Sequence, residues 1–166
     1  MMQNVMERKS LSADKGRKSL EFQVLRMQND LKEIAKKWDI LGVEQTKDEH
    51  LTIVYKLENK HQCKIMLNDC STSFQGIWDF SIDAIYEDSD SIFIGDIRGP
   101  ANRGYGSICI QYLQELAKDQ NIPYIRGDIA PRDWDHVNRL VHFYEKHRFS
   151  VHLDEESKSG KIVWNG

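Results

Sequence analysis

The sequence is short of cysteine, has no long apolar run and carries no excess of positive charge. Its three cysteines, Cys63, Cys70 and Cys109, form no Cys-x-x-Cys pair and leave one over. That argues against both a zinc site and a disulfide framework and fits a reducing, cytoplasmic setting. No stretch approaches the roughly eighteen consecutive apolar residues of a membrane span, and the N-terminus lacks the apolar core of an export signal. Lys and Arg number 23 against 26 Asp and Glu, a net charge of -3, so the basic footprint of a phosphate-backbone binder is missing. Neither nucleic acid nor a membrane is an expected partner. What remains, 40% hydrophobic and 30% charged residues over 166 positions, is ordinary for one globular domain with a real core.

Residues 1–18 are polar and read as a flexible tail, leaving 19–166 as a single domain. From Leu20, the apolar residues Val24, Met27, Leu31, Ile34 and Trp38 follow at alternating spacings of four and three, the stripe of an amphipathic helix. The same spacing is a short heptad, so the stripe serves either for packing on the domain's own sheet or as the seam of a homodimer. Strand-like runs follow at 51–57, 63–67, 78–86 and 92–97. In the third of these, Trp78, Phe80, Ile82, Ala84 and Tyr86 alternate with polar residues. A helix over 106–118, a strand over 124–130, a third helix carrying Val137, Leu140, Val141 and Tyr144, and a closing hairpin at 151–153 and 161–164 complete the order. The fold class expected is α+β: a mixed, mostly antiparallel central sheet with helices on both faces, preceded by a long N-terminal helix.

Of ten glycines, four fall between Gly95 and Ser107, in Gly-Asp-Ile-Arg-Gly-Pro-Ala-Asn-Arg-Gly-Tyr-Gly-Ser. A strand running through a Gly-x-Gly turn into a helix makes an anion site, because the helix's first N–H groups lack partners and its dipole favours negative charge. The plainer reading is a tight turn whose glycines only supply positive φ. No Gly-Lys-Ser/Thr follows, which excludes a Walker loop. No βαβ unit precedes, which argues against a dinucleotide fingerprint.

The run from Gly104 to Lys118, Gly-Tyr-Gly-Ser followed by a helix ending in Ala-Lys, resembles the acetyl-CoA pyrophosphate motif of the GNAT superfamily of N-acetyltransferases. Downstream, His142-Phe-Tyr-Glu-Lys-His-Arg-Phe149 is similar to that superfamily's Tyr-Glu-Lys-x-Gly-Phe helix end. The resemblance implies an acyl-CoA N-acyltransferase fold, with acetyl-CoA as co-substrate, an amine acceptor and no metal. It implies a donor site built from Ile97, Arg98, Gly99, Asn102, Arg103, Gly104, Tyr105, Gly106 and Ser107, with Asn138 and Tyr144 from the third helix. Ala101 stands where the superfamily has Gln or Arg, which leaves the pyrophosphate to backbone N–H groups. Arg148 stands where it has glycine, at a position expected to be left-handed. Asn138 lies one position out of the usual spacing.

Tyr144 matches the acid that protonates the departing thiolate, and backbone N–H groups near Asp96, Ile97 and Arg98 would meet the oxyanion. Candidate bases are Asp96 and Asp128, carboxylates in otherwise apolar strands where desolvation would raise their pKa, with His136 and His142 as further candidates. Asp133, Trp134 and Asp135 form an acidic lip or a simple helix cap. Two functions stay open: an acetyl-CoA-dependent N-acetyltransferase, or a non-catalytic acyl-CoA-binding or protein-interaction module of the same fold.

Overall fold

Alternation builds the centre of the sheet. A computed structural model of the chain describes residues 2–166, with side chains for 6–11 and 13–166. Five strands succeed one another as neighbours: β1 (Asp39–Gln45), β2 (Leu51–Glu58), β3 (Gln62–Asp69), β4 (Phe80–Glu87) and β5 (Ser91–Arg98). After the helix α2 (Tyr105–Asp119) comes β6 (Tyr124–Ile129). A 3-10 turn over Pro131–His136 leads into α3 (Val137–Lys146), and β7 (Ser150–Asp154) and β8 (Ser159–Asn165) close the chain. The sheet order is β1-β2-β3-β4-β5-β6-β8-β7, antiparallel throughout except for the parallel pair β5 and β6. This is the α+β class expected. The one unexpected strand is β1, whose Gly42 and bulge at Leu41 hide any alternation and whose residues are half-buried or exposed at the sheet edge.

Phe80, Ile82 and Ala84 face one side and, with Ile65, Leu67, Ile92, Ile94 and Ile125, bury the apolar stripe of α2 (Cys109, Ile110, Leu113, Ala117) and Tyr144 and Phe149 at the end of α3. At about 25 cal/mol per Å² this packing, rather than helix propensity, holds α2 in place. The other side is covered by α1 (Met2–Ala35), where Met27, Leu31 and Ile34, with Trp38 just beyond, pack on Ile53, Tyr55, Met66 and Cys70. This stretch of the heptad-like stripe therefore packs on the domain's own sheet. Leu20 is 42% exposed and stands outside that contact.

The helix α1 runs without a break through residue 18, from Met2 to Ala35. All described side chains from Met6 to Phe22 are exposed, which is why no stripe marks the helix's beginning.

Both central helices end in the same way. Asn121 (φ 55°) and Arg148 (φ 67°) are left-handed, and the flanking bonds Ile122 N–H to Ala117 O at 2.8 Å and Phe149 N–H to Tyr144 O at 3.0 Å close Schellman turns. The helix end expected for a glycine thus survives with arginine. A left-handed non-glycine costs about 1–2 kcal/mol, against about 0.5–1 kcal/mol of extra chain entropy for glycine. Arg148→Gly is therefore expected to stabilise the domain by about 0.5–1 kcal/mol, read as a higher urea midpoint at unchanged slope. A lower midpoint would show that the Arg148 side chain contributes more than its backbone costs.

Candidate functional site

The parallel pairing of β5 and β6 runs only from Ser91/Tyr124 to Ile94/Gly127. Beyond it, β5 continues to Arg98 on β4 and β6 to Ile129 on β8, without pairing to each other. Asp83 lies opposite Asp96 and Ala84 opposite Ile94, so Gly95 is the extra residue of a bulge that turns β5 away from its neighbour. The strands splay into a cleft of about 810 Å³, walled by the start of α2, the end of β6 and one face of α3. On their β6 side the peptide groups of Asp96, Ile97 and Arg98 have no strand partner among the described residues.

The glycine turn closes the bottom of this cleft. Gly99 (φ 136°) passes so near the start of β4 that a Cβ would lie 2.5 Å from the Phe80 ring and 2.9 Å from Asp79 O. Asn102 (φ 64°) and Gly104 (φ 80°) then turn the chain into α2, whose N-cap makes no side-chain capping bond. The first N–H groups of α2 are left available to a ligand. At Gly106 a Cβ would stand 3.3 Å from Phe143 on α3 and 3.4 Å from Phe80, so glycine keeps the two helices close.

The expected donor residues divide. Ile97, Arg98, Gly99, Asn102, Gly104, Gly106 and Ser107 line the cleft. Tyr105 lines it as well, but its side chain is 3% exposed and its hydroxyl donates to Asp69 on β3, leaving its backbone for a ligand. The Ser107 hydroxyl is paired with His147 Nε2 at 2.8 Å, where burial, with the Lys146 charge adding, holds the imidazole below its ordinary pKa. Arg98 stands at the mouth, tied to Asp96 at 2.6 Å. Arg103 and Asn138 are exposed and do not line the cleft. Loop curvature carries the Arg103 guanidinium toward Asp79 and Tyr105, and Asn138 falls off the α3 face that carries Leu140 and Tyr144.

Cations absent from the expected set take these places. Arg139 and Lys146 on one face of α3, with Arg132 and Lys47, line the cleft. The seven-residue spacing of Arg139 and Lys146 was the signal available in the sequence.

Tyr144 is 6% exposed, its ring set edge-on to Phe143 and Phe149 at 5.3 and 5.4 Å, and it lines the cleft. No group among the described residues hydrogen-bonds its hydroxyl. Burial, reinforced by the negative charge of Asp133, pushes its pKa up to about 12, so the phenol is a proton donor at neutral pH.

The desolvation expected at Asp96 and Asp128 is absent: the Asp96 side chain is 36% exposed and ion-paired, and Asp128 is exposed. They point to the sheet face opposite α2, where α1 packs over β1 and β2 and leaves β5 and β6 uncovered. Asp128 stands where the cleft meets a second cavity of about 590 Å³ bounded by β6 and the β7–β8 hairpin. His142 and Asp133 line the cleft, whereas His136, Trp134 and Asp135 do not.

Among the described residues no group of three or more His, Cys, Asp or Glu is placed to hold a metal ion. Among the described residues no helix is long and apolar enough to cross a membrane.

No family model matches the sequence. The chain is 47% identical over 163 residues to the uncharacterized protein YocC of Bacillus subtilis (strain 168), covering 98% of each chain. Its fold is similar to that of the GNAT domain of S. lividans PAT, with a TM-score of 0.59 at 8% identity over 75% of this chain and 96% of that domain. The chain belongs to the family of YocC and has the GNAT-superfamily fold.

Proposed function

We propose that the protein is an acetyl-CoA-dependent N-acetyltransferase acting on a primary amine. The observation that carries this is the cleft between β5 and β6, which opens directly onto the uncapped N-terminus of α2. The N–H groups of Gly104, Tyr105, Gly106 and Ser107 would hold the pyrophosphate, with Arg139 and Lys146 adding charge. The unpaired edge of Asp96, Ile97 and Arg98 would bind the pantetheine arm as a strand and set the thioester carbonyl beside a backbone N–H.

The acceptor amine, entering from the Asp128 side, attacks that carbonyl. A nitrogen–carbon bond forms as the carbon–sulfur bond breaks, the amine's proton leaves toward Asp128 through solvent, and Tyr144 donates its proton to the departing thiolate. Free, buried Cys63, Cys70 and Cys109 fit work in a reducing compartment.

The test is thiol release from acetyl-CoA with a panel of small amines, polyamines, amino acids and lysine-bearing peptides. Saturable, amine-dependent release is the expected result. Acetyl-CoA binding with no release on any amine would favour the binding-module alternative.

A further inference from the structure

Tyr105 is the first residue of α2, and it does something a phenylalanine would not. Its ring fills the core edge-on to Phe80 at 6.3 Å, a place the aromatic ring alone would satisfy. Its hydroxyl, however, donates to Asp69 Oδ2 at the end of β3, 36 residues away in sequence. The same oxygen meets His50 Nδ1 at 3.1 Å, and Asp69 Oδ1 accepts from Ser71 N–H at 2.8 Å. The Asp69 backbone N–H in turn donates to Asp79 Oδ2 at 2.7 Å. Asp69 is 4% exposed in its side chain, and every oxygen is used. Burial alone would raise its pKa, yet the bonds from Tyr105, Ser71 and His50 together hold it below the ordinary carboxylate value. Burial and the neighbouring Asp69 push the Tyr105 phenol up, so it remains a donor.

We infer that Asp69 is a positioning residue for the donor cradle, clamping the first turn of α2 through the Tyr105 hydroxyl. This rests on the reading of that turn as the phosphate site. The N-cap Gly104 is left-handed and makes no side-chain capping bond, so the turn has no local anchor of its own. Its fixed points are the Gly99 approach to Phe80 and Asp79, the Tyr105 bond to Asp69 and the Ser107 bond to His147, and of the two inside the helix the Tyr105 bond alone holds its first residue.

The clamp is itself braced by α1. Asp30 accepts from Asn68 Nδ2 and Phe74 N–H, both at 3.1 Å, and Gln23 accepts from Leu51 N–H at 2.8 Å. These bonds fix the two segments that supply Asp69 and His50. The N-terminal helix thereby reaches the cradle through a hydrogen-bonded chain rather than through apolar packing alone. A site held this way keeps its N–H groups aimed before the ligand arrives, which lowers the ordering cost of binding.

The test uses Tyr105→Phe, which keeps the ring, with Asp69→Asn as the conservative partner whose amide oxygen still accepts the hydroxyl. In the ligand-free protein, amide hydrogen exchange at Ile108, whose N–H closes the first turn on Gly104 O at 3.2 Å, is expected to quicken about tenfold in Tyr105→Phe, while Leu113 to Ala117 stay unchanged. Acetyl-CoA is expected to bind the same variant about tenfold more weakly, with KM raised in proportion and kcat at saturation within about twofold. Asp69→Asn is expected to lose less. Faster exchange along the whole of α2 would show a merely structural role and overturn the inference, as would unchanged exchange and affinity. Should the wild-type protein bind no acetyl-CoA, the donor reading falls. The exchange data then decide the clamp alone, standing if the change is confined to the first turn and failing if it is not.

Discussion

Tyr144→Phe is expected to lower kcat for acetyl transfer by about 100-fold or more, with acetyl-CoA affinity within about twofold of wild type. The ring's contacts with Phe143 and Phe149 are apolar and survive the change, so neither fold nor cleft shape is altered. What is lost is one O–H in the cleft, beside the place where a thiolate would appear. Its hydroxyl has no partner among the described residues, so removing it leaves no buried group unsatisfied, and stability should hold. The pH profile gives a second reading of the same group. With the Tyr144 pKa pushed up to about 12, the acid stays protonated as pH rises, and kcat should show no alkaline fall from this group between pH 7 and about 10. A fall with a midpoint near 8 or 9 that persists in Tyr144→Phe would assign the proton donor elsewhere. An unchanged kcat in the variant would remove Tyr144 from the chemistry.

Gly106→Asp is the second large effect, and it separates charge from space. Gly106 is the second residue of α2, where a carboxylate is favourable to the helix dipole and offsets part of the crowding its side chain brings against Phe143 and Phe80. The same carboxylate would sit among the N–H groups proposed for the pyrophosphate. Two like charges about 4 Å apart at an effective dielectric near 20 repel by about 4 kcal/mol, so acetyl-CoA affinity should fall by more than about 100-fold. Gly106→Ala places only a methyl group 3.3 Å from Phe143, and a small ring shift absorbs it. Its expected loss is a few-fold. Titrating both variants beside thermal melts tells them apart, and equal losses in the two would mean that packing against α3, not anion binding, is what Gly106 serves.

The parts of this protein that were legible in its sequence are those with a local period. Alternation in β4, the glycine turn, the α2 stripe and the Tyr144-to-Phe149 helix end each announce themselves within about ten residues, and each is where it was expected. β1 was silent because an edge strand with a bulge and a glycine has no alternation to show. The start of α1 was silent because its exposed first half has no apolar stripe.

At the site, backbone roles were easier to foresee than side-chain ones. Tyr105, Ser107 and Arg98 line the cleft, yet their side chains are engaged by Asp69, His147 and Asp96. The Asp69 and His147 pairings cross 36 and 40 residues of sequence and leave no local mark. Asp96 and Asp128 interrupt apolar strands as a buried base would. Only the tertiary placement of α1 over β1 and β2 shows that their face of β5 and β6 is open to water.

The central claim is that the splayed cleft and the glycine turn bind acyl-CoA. Calorimetric titration of the purified protein with acetyl-CoA, and with desulfo-CoA as a non-reacting control, tests it most directly. One site per chain with micromolar affinity for both ligands is the predicted result. No heat and no shift in melting temperature with either ligand, from a well-folded protein, would contradict it and leave the glycine stretch as a turn.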